Sequence, residues 1–142
     1  YKNLLRDQTS KKLICTNPDL TVHRGEVEEY CAGAIAKIFE TLGGKVVYFG
    51  KPYKEVYEKC LDFLKKMNST ISNKNILVIG DSLETDILGA NKANIKSLLI
   101  ANGIHSNQLY KNNRSNLSLK NLTSLSQEFS AFPDYVIKSF IF

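Results

Sequence analysis

Three residues combine type and position in a way that suits phosphate and metal chemistry. Lys51 lies in Phe49-Gly50-Lys51-Pro52, and Asp81 and Asp86 lie in Gly80-Asp81-Ser82-Leu83-Glu84-Thr85-Asp86. A lysine ammonium is a mobile point charge with three donors and fits a phosphate oxygen. Asp81 follows a glycine that lets the backbone turn tightly, so its carboxylate can reach over a strand end and take a hard cation such as magnesium at about 2.1 Å. Asp86 suits holding a metal-bound water or orienting Lys51. A plainer reading stands beside each. Acids in the first turn of a helix gain about 0.3 to 1 kcal/mol from the macrodipole. Asp86 and Glu84 therefore fit equally as first-turn acids, with Ser82 as the cap. Lys51 taken alone fits a solvated surface lysine just as well.

The elements that must position these residues follow from periodicity. Leu13 to Thr16 reads as a strand stopped by Asn17-Pro18-Asp19. From Glu28 to Leu42, apolar residues at Cys31, Ala34, Ile35, Ile38, Phe39 and Leu42 keep helical spacing, and Gly43-Gly44 supplies the stop. Val46 to Phe49 predicts a strand, Tyr53 to Met67 an amphipathic helix, and Ile76 to Ile79 a second buried-type strand. A helix from Glu84 to Ala93 should end at Asn94, a residue that tolerates the left-handed cap. Ser97 to Ile100 and Tyr135 to Ile137 predict two more strands. Between them lies an Asn- and Ser-rich stretch with weak helical pattern at His105 to Lys111 and Leu122 to Phe129.

Alternating strands and helices predict an α/β layered domain with a parallel sheet. In such sheets ligands bind beyond the carboxyl ends of the strands. Right-handed crossovers predict that the Lys51 and Asp81 loops open onto the same sheet edge, where the lysine and the two carboxylates converge.

Composition narrows the function classes. With 142 residues, 43% hydrophobic and 23% charged, the chain has one domain's length and enough apolar content to bury a core without disulfides or a structural metal. The net charge of +5 comes from 19 Lys and Arg against 14 Asp and Glu, spread along the chain rather than clustered. This favours a solvated surface over a nucleic-acid face. Three cysteines without a CxxC pair point to a reducing, cytoplasmic compartment. His23 and His105 are too isolated for a zinc site. No apolar run approaches the roughly 20 residues of a membrane span. Gly44 and Gly50 are one residue too far apart for a P-loop, and Pro52 stands where that motif needs Ser or Thr.

The combination of Phe49-Gly50-Lys51-Pro52 with Gly80-Asp81-Ser82-Leu83-Glu84-Thr85-Asp86-Ile87, separated by an amphipathic helix and a strand, resembles the third and fourth motifs of haloacid-dehalogenase-like phosphatases, in particular subclass IIA. Cys15 to Asp19, Tyr30 to Gly44, Asn102 to His105 and Pro133 to Phe140 fit that subclass in order, so the resemblance covers nearly the whole chain. It implies a Rossmann-like core and a small phosphorylated metabolite as substrate. Lys51 would steady the phosphate and nucleophile, Asp81 would bind Mg2+, and Asp86 would be the second acid of the same motif. Residues 1 to 44 would be the end of an α/β cap domain and 45 to 142 the second half of the catalytic core. His23 falls where some members contact substrate from the cap, and it also reads as an exposed loop histidine.

The family's first motif, a DxDG bearing the nucleophilic and acid/base aspartates, is absent from these residues, as is the Thr or Ser of the second. The chain starts at Tyr1 within a helix-like pattern, as expected of a cut start. The resemblance thus implies the carboxyl-terminal part of a phosphatase, partnered by an amino-terminal half or self-associated. The competing expectation is an inactive truncated protein or a non-catalytic phosphate-binding module. Neither a nucleic-acid nor a membrane partner is expected.

Overall fold

Local sequence signals become elements as follows in a computed structural model, which describes residues 2–24, 27–110 and 116–141. The chain divides into two compact units, Tyr1–Val56 and Tyr57–Phe142.

In the first unit, α1 (Lys2–Arg6) precedes β1 (Lys12–Cys15), a hairpin of β2 (Thr21–Arg24) and β3 (Val27–Tyr30), α2 (Ala32–Thr41) and β4 (Lys45–Tyr48). β1 and β4 pair in parallel, from Lys12 opposite Lys45 to Cys15 opposite Tyr48. The hairpin is a separate antiparallel pair. The helix expected from Glu28 therefore begins at Ala32. Residues 27–30 find backbone partners in Thr21–Arg24, and this ladder overrides the helical spacing that Cys31 onward retains. At the other end of α2, Gly43 takes φ +89°, and the Gly44 N–H closes on the Phe39 carbonyl at 3.0 Å, which is the expected glycine stop. Phe39 and Ala36 are the buried hydrophobic residues of this helix.

α3 (Lys54–Met67) leads into the second unit. There β5 (Leu77–Gly80), β6 (Lys96–Ile100) and β7 (Tyr135–Ile137) form a parallel sheet in the order β5-β6-β7. Between β5 and β6 a π-helical turn (Leu83–Ile87) runs into α4 (Leu88–Lys92), and Asn94 caps it at φ +53°, as its type predicts. Between β6 and β7 lie α5 (Ser106–Leu109) and α6 (Leu119–Phe129). Lys111, the end of the expected His105 to Lys111 helix, lies outside the described residues. Leu83, Ile87, Leu99, Ala101, Leu109, Leu125 and Ala131 form the core, with Val136 and Phe129 packed against it. The helices after β5 and β6 thus share the sheet face that carries Leu99 and Val136. On the strand at the end of the sheet, Leu77 and Ile79 are both 43% exposed.

The α/β class with parallel pairing is as expected. The parallel pairing is divided between two sheets, β1 with β4 and β5 with β6 and β7, rather than gathered in one.

Candidate functional site

The carboxyl edge of the β5-β6-β7 sheet collects the polar chemistry of the second unit. β5 ends at Gly80, and the chain turns through Asp81 and Ser82 into the π-helical turn. Asp86, only 5% exposed, folds back over this turn. Its Oδ2 accepts the backbone N–H groups of Asp81 at 3.2 Å and Ser82 at 3.1 Å. The approach is close enough to exclude any side chain at Gly80, where a Cβ would lie 2.2 Å from Asp86 Cγ. The Ser82 hydroxyl accepts the Thr85 N–H at 3.2 Å, so the expected cap is present. The wider turn is visible in the Ile87 N–H, which reaches the Ser82 carbonyl at 3.1 Å. Such single π-turns often occur at functional positions.

Asp81 is exposed. Its Oδ2 accepts the Ile104 N–H at 3.1 Å, and the side chain rests on Gly103, where a Cβ would meet Asp81 Cβ at 2.1 Å. The loop after β6 thereby grips the loop after β5. Beside it, the Asn102 amide donates to the Ser139 hydroxyl at 3.0 Å, and the Asn102 N–H donates to the Lys138 carbonyl, which ties in the segment after β7.

From below, the Tyr57 hydroxyl donates to the carbonyls of Thr85 and Asp86, at 3.4 and 3.3 Å. Burial, reinforced by the nearby Asp86 and Cys60, pushes this phenol up to about 12. It is a fixed donor at neutral pH.

His105 is the residue that sequence reasoning missed. Expected to be too isolated for a zinc site and otherwise given no role, it is 7% exposed, and its Nε2 accepts the Leu83 N–H at 3.1 Å. The signal available in the sequence was its place two residues after Gly103 at a strand end, with Gln108 one helical turn ahead.

Lys51 belongs to the first unit, exposed in the loop after β4. Gly50 before it takes φ +102°, and its carbonyl accepts the Tyr53 N–H at 2.9 Å, while the Lys51-Pro52 peptide is cis. Tyr48 and Tyr53 flank the loop with rings stacked at 5.2 Å and nearly parallel. Burial, with a hydrogen bond to Glu40, pushes the Tyr48 phenol up to about 12, and burial also raises Tyr53. His23 has its backbone in β2, opposite Glu28. Its side chain lies outside what the structure describes.

The structure thus joins Asp81 and Asp86 in one hydrogen-bonded turn, with Lys51 and His23 placed in the other unit. For a metal, the available donor is a hard, exposed carboxylate held in one orientation on Gly103, which fits Mg2+. Among the described residues no group of three or more His, Cys, Asp and Glu could hold an ion, so Asp81 would supply only part of a coordination sphere. Among the same residues, no helix is long and apolar enough to cross a membrane.

Residues 48–125 match the sequence profile of the HAD-hydrolase-like family. The chain is 30% identical over 95 residues to the ribonucleotide monophosphatase NagD of Escherichia coli K12, an alignment covering 67% of this chain and 35% of that protein. A haloacid dehalogenase-like hydrolase from Brucella suis 1330 superposes with a TM-score of 0.76 at 29% identity, covering 99% of this chain and 49% of that one. A possible sugar phosphatase of the HAD superfamily from Cytophaga hutchinsonii gives 0.73 at 28% identity, over 97% of this chain and 44% of that one. The chain spans about a third of the length of the curated NagD relative and about half that of the Brucella structure.

Proposed function

The chain belongs to the HAD-hydrolase-like family, and from that premise we propose that it is part of a magnesium-dependent phosphatase acting on small phosphate monoesters, such as a sugar phosphate or a nucleotide monophosphate. The observation that carries this reading is the exposed Asp81 carboxylate, held on Gly103 by the Ile104 N–H at the end of β5. Asp81 would hold the cation, with water and phosphate oxygens completing its shell. When bound, Mg2+ supplies positive charge to the phosphoryl oxygens. Asp86 keeps the turn in place through the two N–H groups on its Oδ2. Lys51 is assigned to a phosphate oxygen and His23 to substrate contact. Residues 1 to 44 are assigned to a cap and 45 to 142 to the catalytic core, in a cytoplasmic setting suited to three free thiols.

No DxDG occurs in these 142 residues. An aspartyl-phosphate route therefore needs an aspartate from elsewhere, and electrostatic clamping alone does not replace a covalent nucleophile for so slow a reaction. We assign that aspartate to an amino-terminal polypeptide that adds at β5, the end strand whose Leu77 and Ile79 are exposed.

The test is hydrolysis of para-nitrophenyl phosphate in Mg2+. The chain alone should show no turnover. Adding a separately made polypeptide that carries DxDG should produce it, and Asp81→Asn should abolish it. Magnesium-dependent turnover by the pure chain, lost in Asp81→Asn, would overturn the need for a partner. Micromolar Mg2+ binding by calorimetry would overturn the single-ligand assignment.

A further inference from the structure

We propose that His105, held as its Nδ1–H tautomer, is the positioning residue that fixes the Asp81 carboxylate before a cation arrives. The inference rests on the reading of Asp81 as the cation ligand, and the geometry behind it lies within one unit.

The tautomer follows from the bonds. The Leu83 N–H can only donate, so His105 Nε2 must present a lone pair at 3.1 Å. The ring proton is then on Nδ1, which faces the Gln108 Oε1 acceptor at 3.0 Å. One protonation state satisfies both neighbours. The ring is 7% exposed and leans on Phe129 at 5.4 Å, so it has little freedom to rotate away.

The bond from Leu83 to His105 is half of an exchange between two loops. Leu83, two residues after Asp81, donates to the side chain of His105. Ile104, one residue before His105, donates its N–H to the side chain of Asp81 at 3.1 Å. Residues 81–83 are thereby clamped by residues 104–105 at both ends, with Gly103 as the floor under Asp81. Release of the His105 end lets the 103–105 loop shift, and the Ile104 N–H then no longer meets the carboxylate. Preorganisation of this kind lowers the cost of ordering a ligand when the cation binds. Partners that orient a metal ligand are typically worth about 10-fold to 100-fold in metal affinity.

The test uses the full chain and requires no phosphatase activity. The first readout is the Ile104 amide proton shift, with Asp81→Asn as the reference for a lost carboxylate. His105→Ala should move this signal towards the Asp81→Asn value and weaken Mg2+ binding about 10-fold. In His105→Gln the side-chain oxygen can still accept the Leu83 N–H, so both readouts should return to near the wild-type values. The second readout is the imidazole nitrogen spectrum, which should show the proton on Nδ1. Gln108→Leu, an exposed change that preserves the core, should mix the tautomers and shift the Ile104 signal partway.

An unmoved Ile104 signal in His105→Ala, equal losses in the Ala and Gln variants, or a proton on Nε2 would each overturn the proposal. A wild-type chain that binds no Mg2+, with the Ile104 and tautomer results as expected, would overturn the cation reading and support the positioning role.

Discussion

The two edges of the β5-β6-β7 sheet use aspartates in opposite ways. At the amino edge, Asp134 accepts the Ser97 N–H at 2.9 Å and pairs with the Lys96 ammonium. The hydrogen bond from Lys96 is the main reason its carboxyl sits below the usual carboxylate range, with burial opposing and the Ser97 N–H assisting. Its negative charge is matched by a full positive one, and the pair latches the starts of β6 and β7. At the carboxyl edge, Asp81 Oδ2 accepts the Ile104 N–H, and Asp86 Oδ2 accepts those of Asp81 and Ser82. Backbone dipoles of this kind orient a carboxylate and favour its charged form. The same residue type thus closes a sheet through an ion pair at one edge and shapes a turn through backbone N–H groups at the other.

The comparison breaks first at Asp86, where the largest effect is expected. Asp86→Ala removes the acceptor of two N–H groups in a tight turn, and each unpaired group costs about 1 to 3 kcal/mol when water cannot replace the partner. Unfolding free energy from urea titration should fall by about 2 to 4 kcal/mol, and Asp86→Asn, which keeps an acceptor, should recover most of it. A loss below about 0.5 kcal/mol in the alanine variant would show that the turn does not depend on this carboxylate.

A smaller effect, sharper in function, is expected at Gly103. In Gly103→Ala the new Cβ would lie 2.1 Å from Asp81 Cβ and 2.3 Å from Oδ2, so the side chain or the loop must move. The stability cost should be about 1 to 3 kcal/mol, as for other overpacked sites. Mg2+ affinity measured by calorimetry should drop along with it. A variant that keeps wild-type Mg2+ affinity would place the cation elsewhere.

Why one edge was more legible than the other follows from the kind of bond each uses. Gly80-Asp81 at a strand end, Ser82 as a cap and Asn94 in a left-handed turn are local signals, and the structure places each as expected. β1 and β4 are legible as apolar runs, whereas their parallel pairing with each other is not. What the sequence concealed depends on distant partners. The β2-β3 hairpin was hidden because Glu28 to Tyr30 also continue a helical pattern, and only pairing with Thr21–Arg24 decides between the two. His105 was hidden because its role is set by Leu83, 22 residues away in the chain, and a lone histidine carries no sign of an N–H waiting for it. Asp134 pairs across 38 residues with Lys96, which periodicity cannot show.

The smallest effect is expected at Asp134, and its pH dependence decides whether the two edges differ in kind. The folded carboxyl titrates below the ordinary value near 3.9. The stability it contributes is therefore fully present above that ordinary value and is lost as the pH falls through the depressed one. Asp134→Asn removes the charge and keeps an acceptor for the Ser97 N–H. At pH 7 the substitution should lower the folding equilibrium constant by a factor of about two to five, the usual reach of a partly exposed ion pair. The difference should shrink as the pH drops below about 4, and it should also shrink at high salt, because the partner is the exposed Lys96. Urea midpoints for both proteins at pH 7 and pH 3, each with and without added salt, measure all of this. A gap that survives both acid and salt would mean that the charge of Asp134 is not what the substitution removes, and the ion-pair account of this edge would not hold.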